Sequence, residues 1–125
     1  MTPGGFHSFE HRWALAEAFD FHLAIGKQQI QDRIHSLANS MKKELASINS
    51  LTLHTPQSSA LSAGIVCFEI DGMKPRSIVR RLQEKGIRAS TTPYAVSYAR
   101  LAPGLLTNEA DVAVAVAAVN DIAAG

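Results

Sequence analysis

The chain has 125 residues, which is enough for one domain with a single hydrophobic core. Hydrophobic residues make up 46% and charged residues 18%, which excludes a disordered chain, and a net charge of +1 gives no reason to expect nucleic acid or an acidic membrane as a partner. Cys67 is the only cysteine, so a disulfide-stapled fold is excluded and a reducing, cytoplasmic location is predicted.

The first part of the chain predicts a connector over residues 1–8 and two helices over residues 9–48. Ser8 is a suitable N-cap for the first helix, and Gly26 follows its expected end. Apolar residues recur at helical spacing in both helices: Trp13, Ala14, Ala18, Phe21 and Ile25, and then Ile30, Ile34, Leu37, Met41, Leu45 and Ile48. The polar face of the second helix is expected to meet solvent: Gln29, Asp32, Arg33, Lys42, Lys43 and Glu44.

Residues 51–125 predict an α/β sandwich. Apolar patterns and turn residues indicate strands over 51–54, 63–70, 87–91 and 96–101. Pro75 opens a helix that Gly86 ends, and Thr107 or Asn108 caps a last helix. The predicted fold class is therefore α/β: a two-layer sandwich in which a small, mostly antiparallel sheet of three to four strands has helices on one face, preceded by the two-helix segment. We expect residues 1–125 to form a single domain.

One motif near the N-terminus has the spacing of a zinc-peptidase class. His7, Glu10 and His11 form H-x-x-E-H. His7 falls before the expected helix cap, so it would lack the helical geometry that zinc binding needs, and we interpret Glu10 as a complement to the helix dipole. The remaining histidines are scattered and are predicted to be surface or half-buried residues: His22, His35 and His54.

Three further features carry possible chemistry. Cys67 lies in the apolar run 63–70 and is predicted to be a buried core thiol rather than a nucleophile. A basic helix face is predicted to be solvated rather than an anion site; it consists of Lys74, Arg76, Arg80, Arg81 and Lys85. Arg100 stands inside a strand, close to a helix N-terminus, and is either a carboxylate clamp or the partner of a surface acid.

At these residues the sequence resembles the C-terminal part of class V aminotransferases, which are pyridoxal-phosphate enzymes of fold type I. Within that family, the sequence is most similar to the isopenicillin N epimerase-like and cysteine desulfurase-like group. Matching segments follow in order along nearly the whole chain: 2–15, 18–21, 25–26, 55–56, 63–72, 85–88, 93–94, 99–103 and 107–109.

The resemblance implies roles for particular residues. Arg100, in Tyr98-Ala-Arg-Leu-Ala, matches the arginine that binds the substrate α-carboxylate. The family's connector approaches the cofactor phosphate of the neighbouring subunit, often with a Gly-Thr pair. Phe6 replaces that threonine here, so Gly5 and Ser8 are the candidates for this contact. The implied partners are a large pyridoxal-phosphate-binding domain, a second copy in a homodimer and a small amino-acid substrate.

The family's Schiff-base lysine lies N-terminal to the matching region. None of Lys27, Lys42, Lys43, Lys74 and Lys85 falls in its motif, so the chain alone should not catalyse. The chain is then either part of an enzyme, as the tail of a longer polypeptide or an associated subunit, or a free-standing α/β remnant or binding module. Exposed Phe6, Phe9 and Trp13 would favour the enzyme part, because the large domain and the dimer mate would pack there. We expect these residues to be exposed.

Overall fold

The computed structural model describes residues 8–125, and its elements follow the predicted order α-α-β-β-α-β-β-α. The elements are α1 (Phe9–Ile25), α2 (Lys27–Leu45), β1 (Leu51–Leu53), β2 (Val66–Ile70), α3 (Pro75–Glu84), β3 (Ser90–Thr91), β4 (Ala99–Leu101) and α4 (Glu109–Ala124). The chain forms two compact units, one ending at Gln31 and the other spanning Asp32–Gly125. None of the helices in residues 8–125 is long and apolar enough to cross a membrane.

The first unit contains α1, whose predicted ends are confirmed. The Ser8 hydroxyl accepts a hydrogen bond from the His11 backbone N–H at 3.4 Å and donates one to the Glu10 carboxylate at 2.7 Å. Gly26 ends the helix with a φ of +96°, a backbone conformation that favours glycine. No residue of α1 is buried.

The second unit contains an antiparallel sheet with the strand order β1-β2-β4-β3. Side chains alternate between its two faces, and Val66, Phe68 and Ile70 of β2 point to the buried one. Ala99 and Leu101 of β4 share that face and join one core with residues of α2, α3 and α4. The predicted two-layer α/β arrangement is confirmed.

The last helix, α4, carries the predicted cap. Asn108 accepts from the Asp111 backbone N–H at 2.8 Å, and Asp111 accepts from the Asn108 N–H at 2.9 Å, which completes a capping box. Val112 and Val116 are buried on the inner side of the helix, although their stretch of sequence alternates like a strand. Arg33 of α2 donates to the Glu109 carboxylate at the start of α4, and this bond lowers the pKa of Glu109.

All four strands are shorter than predicted, and threonine side chains replace strand-to-strand hydrogen bonds at the starts of β2 and β4. The Thr55 hydroxyl accepts from the Cys67 N–H at 2.8 Å and donates to the Ile65 carbonyl at 3.2 Å. The Thr92 hydroxyl accepts from the Tyr98 N–H at 2.9 Å. The regular ladder therefore begins at Val66 in β2 and at Ala99 in β4.

The prediction that Lys42 faces solvent is wrong. Its side chain is fully buried, and Nζ donates to the Pro56 carbonyl at 3.0 Å, the Gln57 carbonyl at 2.8 Å and the Ser62 hydroxyl at 2.8 Å. The ammonium thus fixes the polar loop between β1 and β2 against α2. Desolvation by burial lowers the pKa of Lys42.

Candidate functional site

The sheet face opposite the core carries a concentration of polar and reactive side chains, and we call it the polar face. Residues opposite each other in an antiparallel pair project to the same side. Cys67 is opposite Arg100, Arg100 is opposite Ser90, and Glu69 is opposite Thr52. Extending the same alternation beyond the strand ends adds His54 and Tyr98. The polar face therefore consists of Thr52, His54, Cys67, Glu69, Ser90, Tyr98 and Arg100.

Arg100 lies near the middle of this face, on β4. It is half-buried, and its Nε donates to the Ser90 hydroxyl on the neighbouring strand at 2.7 Å. Among residues 8–125 no carboxylate lies within ion-pair distance of it. The surface-acid alternative therefore finds no partner in this part of the chain. The guanidinium is oriented by one neutral hydrogen bond, and its two terminal nitrogens remain available for a planar anion such as a carboxylate.

Nothing in the sequence indicated that His54 has functional neighbours, but in the structure it belongs to a cluster. Its Nε2 lies 3.3 Å from Oε1 of Glu69. Its ring stacks on Tyr98, with 3.8 Å between the ring centroids and an interplanar angle of 28°. We call these three residues the His54 cluster. Sequence reasoning missed it because the contacts depend on the register that joins β1 to β2 and β2 to β4.

The prediction that Cys67 is a core thiol is wrong. The side chain is half-buried on the polar face, between the buried Val66 and Phe68. The run 63–70 is almost continuously apolar, which predicted a buried position for Cys67. Alternation along β2 instead places Cys67 opposite Arg100, so the two residues are neighbours on the polar face.

The expected phosphate contacts involve the first unit. Gly5 lies outside the described residues, as do Phe6 and His7. Ser8 caps α1 and its hydroxyl donates to Glu10, so the single hydrogen that it could donate to a phosphate is already used. Within residues 8–125 no three potential ligand side chains form a group able to hold a metal ion.

The remaining surface predictions are confirmed. The basic residues of α3 and its ends are exposed, with Arg80 3.9 Å from Glu84 and Lys85 3.1 Å from Asp121. His22 is exposed and His35 is half-buried. Phe9 and Trp13 are exposed, and Trp13 is 70% accessible.

Comparison with known families identifies the class of this protein. The family model described as aminotransferase class-V matches residues 8–101, which is most of the chain and includes every strand and Arg100. The chain therefore belongs to the class-V aminotransferase family, as the resemblance in its sequence indicated. No protein with a curated description matches it significantly.

Solved structures share the fold. The apo cysteine desulfurase from Thermococcus onnurineus NA1 superposes with a TM-score of 0.75 at 16% identity, over 82% of this chain and 28% of the other. The cystine C-S lyase C-DES, in complex with its product cysteine persulfide, gives 0.66 at 22% identity, over 75% and 24%. The cysteine desulfurase CsdA from Escherichia coli gives 0.64 at 21% identity, over 77% and 25%. The chain thus spans about a quarter of the length of these proteins.

Proposed function

We propose that this chain is the C-terminal part of a pyridoxal-phosphate-dependent class V enzyme that acts on an amino acid, and that Arg100 binds the substrate α-carboxylate. Family membership and the quarter-length match to solved enzymes support the first half of this proposal. Another structure of C-DES has glycine covalently linked to its pyridoxal phosphate, which supports this cofactor for the parent enzyme. We propose that the parent enzyme is located in the cytoplasm.

The observation that carries the second half is the environment of Arg100. The guanidinium is half-buried, oriented by Ser90 and paired with no acid in the described chain. An arginine in this state has a strong tendency to bind a carboxylate through two parallel hydrogen bonds. The substrate would be held by its carboxylate on the polar face while the large domain supplies the reacting groups.

The lysines bear on whether this part of the enzyme can hold the cofactor covalently. Pyridoxal phosphate supplies an electron sink for the bonds around the substrate α-carbon, and an enzyme attaches it to a lysine. Four described lysines are exposed: Lys27, Lys43, Lys74 and Lys85. Lys42 is buried, but all three of its donor positions are taken by the β1–β2 loop. These residues do not fit a covalently held cofactor, so we propose that the lysine belongs to the large domain and that the chain alone is inactive.

The contact between the connector and the cofactor phosphate remains a proposal for Gly5 and Ser8. The first turn of α1 offers a positive dipole end to an anion. However, the Ser8 hydroxyl is bonded to the carboxylate of Glu10, whose negative charge would repel a phosphate. Phosphate contact through Ser8 therefore requires that this bond break when the neighbouring subunit binds.

The exposed surface of α1 is evidence for the proposal that the parent enzyme has a large domain and forms a homodimer. Its large apolar residues are exposed on every side of the helix: Phe9, Trp13, Leu15, Phe19, Phe21 and Leu23. A helix that is apolar all round is normally buried in a protein interior. The proposed occupants of its sides are the large domain and the second subunit.

The test measures carboxylate binding and cofactor trapping on the same protein. We expect simple amino acids to shift the Nε–H resonance of Arg100 in NMR spectra of the full chain. The Arg100→Gln variant should lose this binding, whereas Arg81→Gln, which changes an exposed arginine of α3, should keep it. With pyridoxal phosphate and borohydride we expect no adduct at a single lysine.

Two outcomes would overturn the proposal. Unchanged amino-acid binding by Arg100→Gln would remove the role of the arginine. A borohydride-trapped adduct at one specific lysine, together with turnover of an amino acid by the 125-residue chain, would contradict its inactivity. Coexpression with the polypeptide encoded directly upstream in the source genome then separates the enzyme part from a free-standing remnant, because only the enzyme part should form a complex that turns over substrate.

A further inference from the structure

The His54 cluster and Arg100 lie in a fixed relation on the polar face. The His54 backbone N–H donates to the Cys67 carbonyl at 2.9 Å, and Cys67 is opposite Arg100 on β4. His54, Cys67 and Arg100 therefore form a row across three strands. Since neighbouring strands lie roughly 4.8 Å apart, the backbones of His54 and Arg100 are separated by roughly 10 Å.

The polar face carries opposite charges on two neighbouring strands. Arg100 of β4 is bonded to Ser90 of β3, on the side away from His54. Glu69 lies on β2, two positions from Cys67; its side chain is 44% accessible, and its Oε1 lies 3.3 Å from Nε2 of His54. Its second oxygen, Oε2, has no hydrogen-bond or ion-pair partner within residues 8–125. The polar face thus presents a cation that is bonded toward β3 and a carboxylate oxygen that lies beside His54, on the β1 side.

The cluster restricts where this carboxylate can lie. The side chain of His54 is 28% accessible, its ring stacks on Tyr98, and its Nε2 lies beside Glu69, so the cluster connects β1, β2 and the start of β4. The stacked ring is held in place, and it confines the carboxylate oxygen beside it. A preorganised carboxylate beside an aromatic ring suits a cationic group that arrives on an apolar stem.

We propose that the His54 cluster is the side-chain subsite of the substrate, and that it selects an amino acid whose long side chain ends in a positively charged nitrogen group, as in lysine or arginine. This inference rests on the proposed function, because Arg100 must hold the α-carboxylate. Glu69 binds the distal nitrogen, and Cys67 is the small residue that is opposite Arg100 and two positions from Glu69. His54 and Tyr98 are positioning residues that act through Glu69.

The experiment measures binding to the full chain by NMR or calorimetry, at about pH 8.5, above the ordinary titration range of histidine. The probes are L-arginine and L-norleucine, which share the α-carboxylate and a long stem but differ at the distal end. We expect L-arginine to bind about five-fold more tightly, the effect of one partly exposed charge pair. The Glu69→Gln variant should remove this preference and leave the affinity for L-norleucine unchanged.

The matched control is Glu84→Gln, which removes an exposed carboxylate of α3 and should leave the preference intact. His54→Ala should lower the preference, and His54→Gln, which keeps an N–H donor for Glu69, should restore part of it. A purely structural role for His54 would instead weaken the binding of both probes equally.

The outcomes for the two proposals are distinct. If Glu69→Gln leaves the preference for L-arginine unchanged, or if neither probe binds the wild-type chain, the side-chain subsite is wrong. If Arg100→Gln binds both probes normally while Glu69→Gln loses the preference, the carboxylate role of Arg100 is wrong, and so is the substrate orientation that depends on it, whereas the contact of Glu69 with the cationic group stands. If Arg100→Gln weakens both probes and Glu69→Gln has no effect, the carboxylate role stands alone.

Discussion

Lys42 is a buried charge with no acidic partner among residues 8–125, and its three hydrogen bonds to neutral acceptors hold the β1–β2 loop. Replacement by methionine keeps the apolar stem but leaves two carbonyls and one hydroxyl without their donor. We expect Lys42→Met to lower the free energy of unfolding by about 1–3 kcal/mol, measured by urea denaturation at neutral pH. Lys43→Met, at an exposed position, should change it by less than about 0.5 kcal/mol.

The same lysine makes stability depend on pH. Desolvation lowers its pKa in the folded state below the ordinary 10.5, so the unfolded chain binds more protons between the folded pKa and 10.5. The contribution of Lys42 to the free energy of unfolding therefore rises with pH through that window. We expect the wild type to gain stability relative to Lys42→Met as the pH increases toward 10.5. A difference between the two proteins that stays constant with pH would contradict this linkage.

At the residue scale, caps were predictable and burial was not. Ser8, Gly26 and Asn108 satisfy local rules that involve neighbours within a few positions; the first two were predicted, and Asn108 was one of two predicted caps with Thr107. Lys42 and Cys67 were placed on the wrong side of their elements. Their burial depends on the β1–β2 loop and on strand alternation, which only the folded sheet determines.

Among the elements, α4 offers a direct test of its cap. Asn108→Ala removes the acceptor for the Asp111 N–H and is expected to lower the free energy of unfolding by about 1 kcal/mol. Thermal and urea denaturation would measure this loss. The matched control is Asn120→Ala, an exposed position inside α4, which should be neutral or slightly stabilising because alanine is the better helix former. Equal losses for the two variants would argue against the capping box as a source of stability.

The types and order of all eight described elements were predicted, whereas one boundary of each of the four strands was not. Helical periodicity and strand alternation extend over many residues and are robust to single positions. A strand boundary depends on individual hydrogen bonds, such as those that the hydroxyls of Thr55 and Thr92 make with backbone groups across the sheet. The sequence does not show whether the hydroxyl of a threonine in a strand-like stretch will form such a hydrogen bond.

For the whole molecule, the exposed apolar residues of α1 predict association of the isolated chain. We expect purified protein to bind a hydrophobic dye and to form species larger than a monomer in analytical ultracentrifugation. Replacing Trp13 and Phe19 with glutamine should remove most of the dye fluorescence and restore the monomer. Val114→Gln, which removes one exposed apolar residue of α4, should change little. A monodisperse wild-type monomer that binds no dye would count against a missing partner for α1.

The fold class could be predicted from the sequence, and so could Arg100 as a candidate for carboxylate binding. The other residues of the polar face could not. Arg100 stands out because a charged residue interrupts an apolar strand. His54 and Glu69 are 15 positions apart in sequence, and nothing local indicates that they meet. The register of β1 with β2 brings them together, and that register follows from packing of the core.

The strict alternation of β4 has a consequence for mutation by insertion or deletion. Ala99 and Leu101 point into the core and Arg100 points to the opposite face, so three consecutive residues contribute to both the core and the polar face of the sheet. Insertion of a single in-frame codon between Ala99 and Arg100 would shift the register by one and turn the guanidinium into the core. Insertion of two codons would restore the alternation. This strand should therefore tolerate length changes in pairs, a parity constraint that the neighbouring 92–98 loop does not share.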